Sequence, residues 1–194
     1  DGKRVPPNAE LGVGGVDSYD LDATVDGRGS KGALHLYNKF HMEHPANMFV
    51  VEYASRPPLA KIFYEDVLKA AVFYGYPILI ENNKYGIARY FESRGYDGYL
   101  MDRPVHLGSG GSAKVKTKGI PSNSQDIIQS HAHAIEAYVH DHVGINRGTG
   151  EYGKMYFNKT LEDWIGYKID NRTKFDLTIS SGLALLAAQK AKPK

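Results

Sequence analysis

The run Pro77-Ile78-Leu79-Ile80-Glu81 sits between two stretches whose apolar residues recur at helical spacing. A strand this short and this uniformly apolar must be covered on both sides, and parallel strands are the ones buried in that way. A helix before it and a helix after it supply crossovers, which join parallel neighbours. Upstream, Leu11–Val16, Ala33–Phe40 and Met48–Tyr53 are three short consecutive runs, and such runs can pair as an antiparallel meander. The expectation is therefore an α/β fold: a mixed sheet of about five or more strands, flanked by helices on both faces.

The punctuation agrees with this order. Ser55-Arg56-Pro57-Pro58 reads as a helix start, with Ser55 able to cap and proline tolerated in the first turn. Ala60, Phe63, Val67, Ala70 and Tyr74 then face inward, and Gly75 stops the helix. Asn82 and Asn83 offer caps for a second helix with Ile87, Tyr90 and Phe91 inward and Gly95 at its end. Tyr99–Met101 reads as a short strand. Gly108–Ser112 is a flexible stretch that is either natural or a replacement for a longer loop. Pro121–Val143 reads as a long helix and Met155–Asn158 as a further strand. Leu161–Tyr167 reads as a short helix, and about Thr173–Ala188 as the last helix. Residues 1–10 read as a linker remnant, 11–190 as one domain, and 191–194 as a basic tail.

Composition narrows the chemistry. The 194 residues contain no cysteine, which removes thiol nucleophiles, disulfides and cysteine zinc sites. The net charge is only +2, so any nucleic-acid contact must come from local patches. The apolar runs are too short for a bilayer-spanning helix, so no membrane partner is expected.

Three acids stand where a core would not place them. Asp17 ends the first strand, Glu81 ends the run Pro77–Ile80, and Asp176 lies in the last helix, followed by Ser180, Ala184 and Ala187 on one small-residue stripe. Carboxylates at strand ends, joined by one from a packed helix, could converge, and they would repel each other unless cations neutralised them. Hard oxygen donors suit Mg²⁺ or Mn²⁺. Each acid also has an ordinary reading: Asp17 opens a turn, Glu81 follows a strand at the surface, and Thr173-x-x-Asp176 resembles a capping box. Asp20 and Asp22 either add a ligand or solvate a loop. His131, His133, His140 and His142 read as a polar helix face rather than a zinc site, because residues two apart do not face each other on a helix. Trp164 reads as core. Lys114, Lys116 and Lys118 would share one face if extended, and either grip phosphates or solvate a loop.

A resemblance joins these pieces. Gly14-Gly15-Val16-Asp17-Ser18-Tyr19-Asp20 resembles the opening strand of the nuclease domains of tailed-bacteriophage large terminases, which carries their first metal-binding Asp. Val51-Glu52-Tyr53 with Arg56-Pro57-Pro58, then Ile78-Leu79-Ile80-Glu81-Asn82-Asn83, is similar to their third strand, helix and second acid. Lys118-Gly119-Ile120-Pro121 resembles the lead into their long helix. Lys174-Phe175-Asp176-Leu177 with Gly182-Leu183-Ala184 resembles their last helix and final acid. The likeness runs from about Val13 to Ala188.

The resemblance implies an RNase H-like fold and a two-metal endonuclease that cuts double-stranded DNA during viral genome packaging. Asp17, Glu81 and Asp176 would be catalytic and would hold two Mg²⁺ or Mn²⁺ ions, while Lys114, Lys116 and Lys118 would bind DNA. Its setting would be the host cytoplasm at the viral prohead. The implied partners are an ATPase domain of the same protein, the portal and prohead, and the small terminase subunit. No G-x-x-x-x-G-K-[ST] is present: Gly153-Lys154 is followed by Met155, and Gly2-Lys3 by Arg4. The chain would then be the nuclease part alone. Alternatives are another RNase H-like enzyme, such as a junction resolvase or transposase, or a non-catalytic DNA- or protein-docking module.

Overall fold

The computed structural model describes residues 3–20, 31–40, 43, 45–82, 85–104, 107, 118–121, 125–143, 154–169 and 174–189. Four strands form one mixed sheet: β1 (Gly12–Asp17), β2 (Gly32–Asn38), β3 (Met48–Ser55) and β4 (Ile78–Ile80), in the order β3-β2-β1-β4. The first three make an antiparallel meander, and β4 lies parallel to β1. β1 is thus central, and all six of its residues are buried.

Alternation along the strands divides the core in two. Val16, Leu34, Leu36, Ile78 and Ile80 point to one face, under α1 (Ala60–Tyr74) and α2 (Gly86–Ser93). Val13, Tyr37, Phe49 and Leu79 point to the other, under α3 (Gln125–Tyr138) and α5 (Asp176–Ala188), with α4 (Asn158–Gly166) alongside. A single π turn, Val139–Val143, extends α3. No helix among the described residues is long and apolar enough to cross a membrane.

The expected fifth strand is not formed among the described residues. Asp97–Tyr99 is a 3-10 turn that runs into one parallel bridge, Ile78↔Leu100. Asp102-Arg103-Pro104 follows at once, and a proline cannot continue the ladder. Beyond β4 the sheet continues only as isolated bridges, Glu81↔Ile120 and Asp102↔Lys118. Met155–Phe157, expected to begin a strand, is coil, and α4 starts at Asn158.

Helix ends differ from the sequence pattern in instructive ways. α1 starts after Leu59 rather than at Ser55, which ends β3, but it stops at Gly75 in the left-handed conformation (φ 69°), as glycine permits. Asn8 donates from N to the carbonyl of Gly75 and from Nδ2 to that of Tyr74, so the segment before β1 closes this helix end. Asn82 donates its backbone amide to Ile120 O and so extends the bridge beyond β4. The first amide of α2, at Gly86, instead goes to Asp20 Oδ1 at 3.2 Å.

Candidate acidic site

Register places two of the three acids side by side. Val16 pairs with Ile80 across the parallel β1–β4 contact, and the Glu81 amide donates to Val16 O at 3.2 Å. Asp17 and Glu81 are therefore the next residues on adjacent strand ends. By alternation Asp17 shares the face of Val13 and Gly15, and Glu81 that of Leu79, so both lie on the α5 side of the sheet. They are 6% and 8% exposed. Two carboxylates this deep on adjacent strand ends need donors or counter-charge.

α5 brings the third. A Cβ on Gly15 would lie 2.2 Å from Ala184 N and Ser180 O, so the helix backbone rests directly on β1 where the strand has no side chain. Asp176 is one turn before Ser180, towards the Asp17 end of the strand. Its Oδ2 accepts a 2.8 Å hydrogen bond from the backbone amide of Lys31, two residues before Ala33, the cross-strand partner of Asp17. All three acids therefore belong to one end and one face of the sheet. Among the described residues, however, no three acidic or histidine side chains are grouped tightly enough to hold one ion. Like charges have no reason to close on each other without cations, and one oxygen of Asp176 is turned to Lys31.

Thr173 of the expected capping box lies outside the described residues, and α5 begins at Asp176 itself, so Asp176 is not three residues into the helix as that box requires. The residue before α5 is Phe175, which makes no side-chain cap. The helix is capped from outside: Asp163 on α4 accepts from Thr178 N at 2.7 Å and Thr178 Oγ1 at 2.8 Å. Burial pushes the Asp163 carboxyl above its ordinary range, against these donated hydrogen bonds. The same device caps α4, where Glu52 on β3 accepts from Thr160 N at 3.1 Å and from Thr160 Oγ1.

Between the two capped helices lies His35, fully buried on β2. Its Nε2 is 2.7 Å from Thr160 Oγ1 and its Nδ1 is 2.8 Å from Ser180 Oγ. Thr160 donates its hydroxyl proton to Glu52, so Nε2 carries the imidazole proton and Nδ1 is the acceptor facing the Ser180 hydroxyl, for which Leu177 O at 3.2 Å is the competing, longer acceptor. Desolvation lowers the His35 pKa to about 3, so the ring is neutral near pH 7. The sequence reading missed Glu52, Asp163 and His35. The one signal was a histidine on the alternate set of Ala33 and Tyr37, within a strand otherwise rich in apolar residues.

Asp20 is exposed, and its Oδ1 accepts from Tyr64 OH at 2.9 Å as well as from Gly86 N, which ties it to α1 and α2. Lys118 Nζ donates to Leu100 O at 2.8 Å and pairs with Asp102 at 2.9 Å, so its charge is already matched. Asp22, Lys114 and Lys116 lie outside the described residues. His131 is buried beside Gly182, while His133 and His140 are exposed. Trp164 donates to Ser181 Oγ at 2.9 Å and meets Phe49 and Tyr138 edge-on. Compared with protein-family models, curated proteins and solved structures, the chain matches none.

Proposed function

We propose that this chain is a metal-dependent endonuclease of RNase H-like type that cuts double-stranded DNA during viral genome packaging, the nuclease part of a large terminase. The observation that supports the reading is that Asp17 and Glu81 end adjacent strands on the α5 face and Asp176 begins the helix packed on that face. The meander followed by a parallel strand, with acids ending the first and fourth strands and heading the last helix, is the arrangement the resemblance implies.

The donor set fits hard divalent cations: three carboxylates from three elements, two of them buried at adjacent strand ends. Two Mg²⁺ or Mn²⁺ ions there would activate water for in-line attack on phosphorus and stabilise the leaving oxygen. The chain's own part is placement. β1 and β4 fix Asp17 and Glu81 rigidly, and α5 delivers Asp176 with one oxygen held by Lys31. Asp20 is better suited to holding α2 than to ligation. Lys118, already paired, adds little to phosphate binding, which leaves Lys114 and Lys116 as the basic arm. By the same reading the chain works in the host cytoplasm with an ATPase domain, the portal and prohead, and a small terminase subunit.

Plasmid nicking with Mn²⁺, Mg²⁺ or chelator tests this. Cleavage should require either ion and vanish in Asp17→Asn, Glu81→Gln and Asp176→Asn. Cleavage in chelator would refute the metal mechanism. Strong preference for branched over linear duplex would favour a resolvase. Absence of Mn²⁺ binding at the acids would favour a docking module.

A further inference from the structure

α5 poses a packing problem. From Thr178 to Ala187 every residue is buried, so no solvent-facing side sets its rotation. Against β1 it presents the backbone of Ser180 and Ala184, with the Cβ of Leu183 beside them, to Gly15, where the strand has no side chain of its own to interlock. At that one point the strand gives α5 no shape to grip, because close packing fixes register through side chains that interdigitate. Yet Asp176 must stand at one height along β1 to face Asp17. Directional contacts add to the register that Ile179, Leu183 and Leu186 set by packing in the core.

Besides the Lys31 amide on Asp176 at its first residue, three polar anchors serve the body of α5: Thr178 on Asp163, Ser180 on His35 and Ser181 on Trp164. Asp163 and Trp164 come from α4, a neighbouring helix that could move with α5. His35 comes from the sheet itself. It pairs with Gly15 in the antiparallel register, and its other nitrogen holds Thr160 at the start of α4. Among these three anchors, then, the imidazole alone references α5 to the sheet, and it also ties α4 to the same point. Ser180 is one helical turn from Asp176, about 6 Å along the axis.

We propose that His35 is a positioning residue that sets the height and rotation of α5 on β1 through Ser180, and so places Asp176 beside Asp17. This rests on the reading that the acids act as one site. The Lys31 amide gives a readout that needs no metal, because it donates directly to Asp176 Oδ2.

The test is amide hydrogen exchange of the metal-free protein by NMR, paired with Mn²⁺ titration of plasmid nicking. In Ser180→Ala, which removes the contact with the least risk to folding, Lys31 should exchange at least fivefold faster. The Tyr76 amide, hydrogen-bonded to Ala71 O in the α1 end, should keep its parental rate. His35→Gln should repeat the result, and the double variant should add nothing. Trp164→Phe removes an α4-derived anchor and should leave Lys31 protected. The Mn²⁺ concentration for half-maximal nicking should rise about tenfold in Ser180→Ala and not in Trp164→Phe. Parental Lys31 exchange in Ser180→Ala overturns the proposal, as does equal loss in Trp164→Phe. Faster Lys31 exchange in a protein whose parent neither binds Mn²⁺ nor nicks DNA upholds the positioning and refutes the nuclease reading.

Discussion

Asp176 reaches outside its own helix: its Oδ2 takes the backbone N–H of Lys31, while the α5 amide at Thr178 is served by Asp163. The charge of Asp176 is therefore not required for capping. Asp176→Asn keeps an oxygen that can accept from Lys31, and should cost no more than about 1 kcal/mol through the lost interaction with the helix dipole. Its melting temperature without metal should stay within a few degrees of the parent while nicking collapses. Asp17→Asn and Glu81→Gln should behave alike, and the losses should not add. A folded Asp176→Asn that cuts at the parental rate would remove it from the site. Lys31→Pro, which deletes the N–H, should impair nicking far more than Lys31→Ala, which keeps it.

Asp163 is predicted to matter as a hydrogen-bond acceptor more than as a charge. Its carboxyl is raised by burial, so the folded state holds a proton more tightly than the unfolded chain. Stability from this group therefore falls as pH rises from the ordinary Asp range through the raised value. Asp163→Asn, still able to accept from Thr178, should be nearly neutral at pH 7. Asp163→Ala should cost roughly 1–2 kcal/mol, the range for losing a helix cap. Urea unfolding of both variants distinguishes the two effects.

His35 makes the opposite contribution to acid stability. With a folded pKa of about 3 against an ordinary 6.5, the unfolded chain takes up a proton that the native state refuses. Stability is fully present above pH 6.5 and is lost as pH falls towards 3, at up to about 1.4 kcal/mol per pH unit. His35→Gln should be roughly 1–3 kcal/mol less stable at pH 7.5, with its buried partners left poorly satisfied. Its stability should then decline less steeply than the parent's between about pH 6.5 and 4.5. Parallel curves from urea titrations at stepped pH would contradict the buried neutral ring.

Gly15→Ala should lift α5 off the sheet. Its new methyl would meet the backbone at Ser180 and Ala184, which cannot rotate away as a side chain could. The expected cost is on the order of 1–3 kcal/mol. Nicking should fall further than the melting temperature suggests, because Asp176 moves with the helix. A thermal melt and a nicking assay on the same preparation check this.

Lys118 offers a test of the basic arm. Its pair with Asp102 is partly exposed on both sides and is worth no more than about 1 kcal/mol. Lys118→Ala should therefore change neither stability nor the salt dependence of DNA binding appreciably. Lys114→Ala with Lys116→Ala should flatten that dependence by roughly two units, about one for each lost phosphate contact. Asp102→Asn, by releasing the Lys118 ammonium, should steepen it.

Much of this was legible in the sequence where the signal was local. The three meander strands, α1 with Gly75 at its end, and β4 were all marked by apolar period and punctuation. The ends Asp17 and Glu81 were visible because a charge closes an apolar run. What escaped was what depends on partners far along the chain. Glu52 caps a helix 108 residues later, and His35 joins Thr160 to Ser180 across 125 and 145 residues. No spacing rule announces such pairs. The expected strand at Tyr99–Met101 failed for a related reason: its residues are strand-like, but the turn before it and Pro104 after it leave room only for two isolated bridges, at Leu100 and Asp102.

The seat of α5 on Gly15 also bears on how the molecule is made. β1 begins at Gly12 and is buried between β2 and β4, yet the helix that covers it begins only at Asp176. Contacts so distant in sequence carry a large loop-closure entropy and form late. A ribosome-bound chain that has emerged only as far as α4 holds Asp17 and Glu81 but not Asp176. In the proposed site, Asp176 can take its place only once α5 has docked on β1.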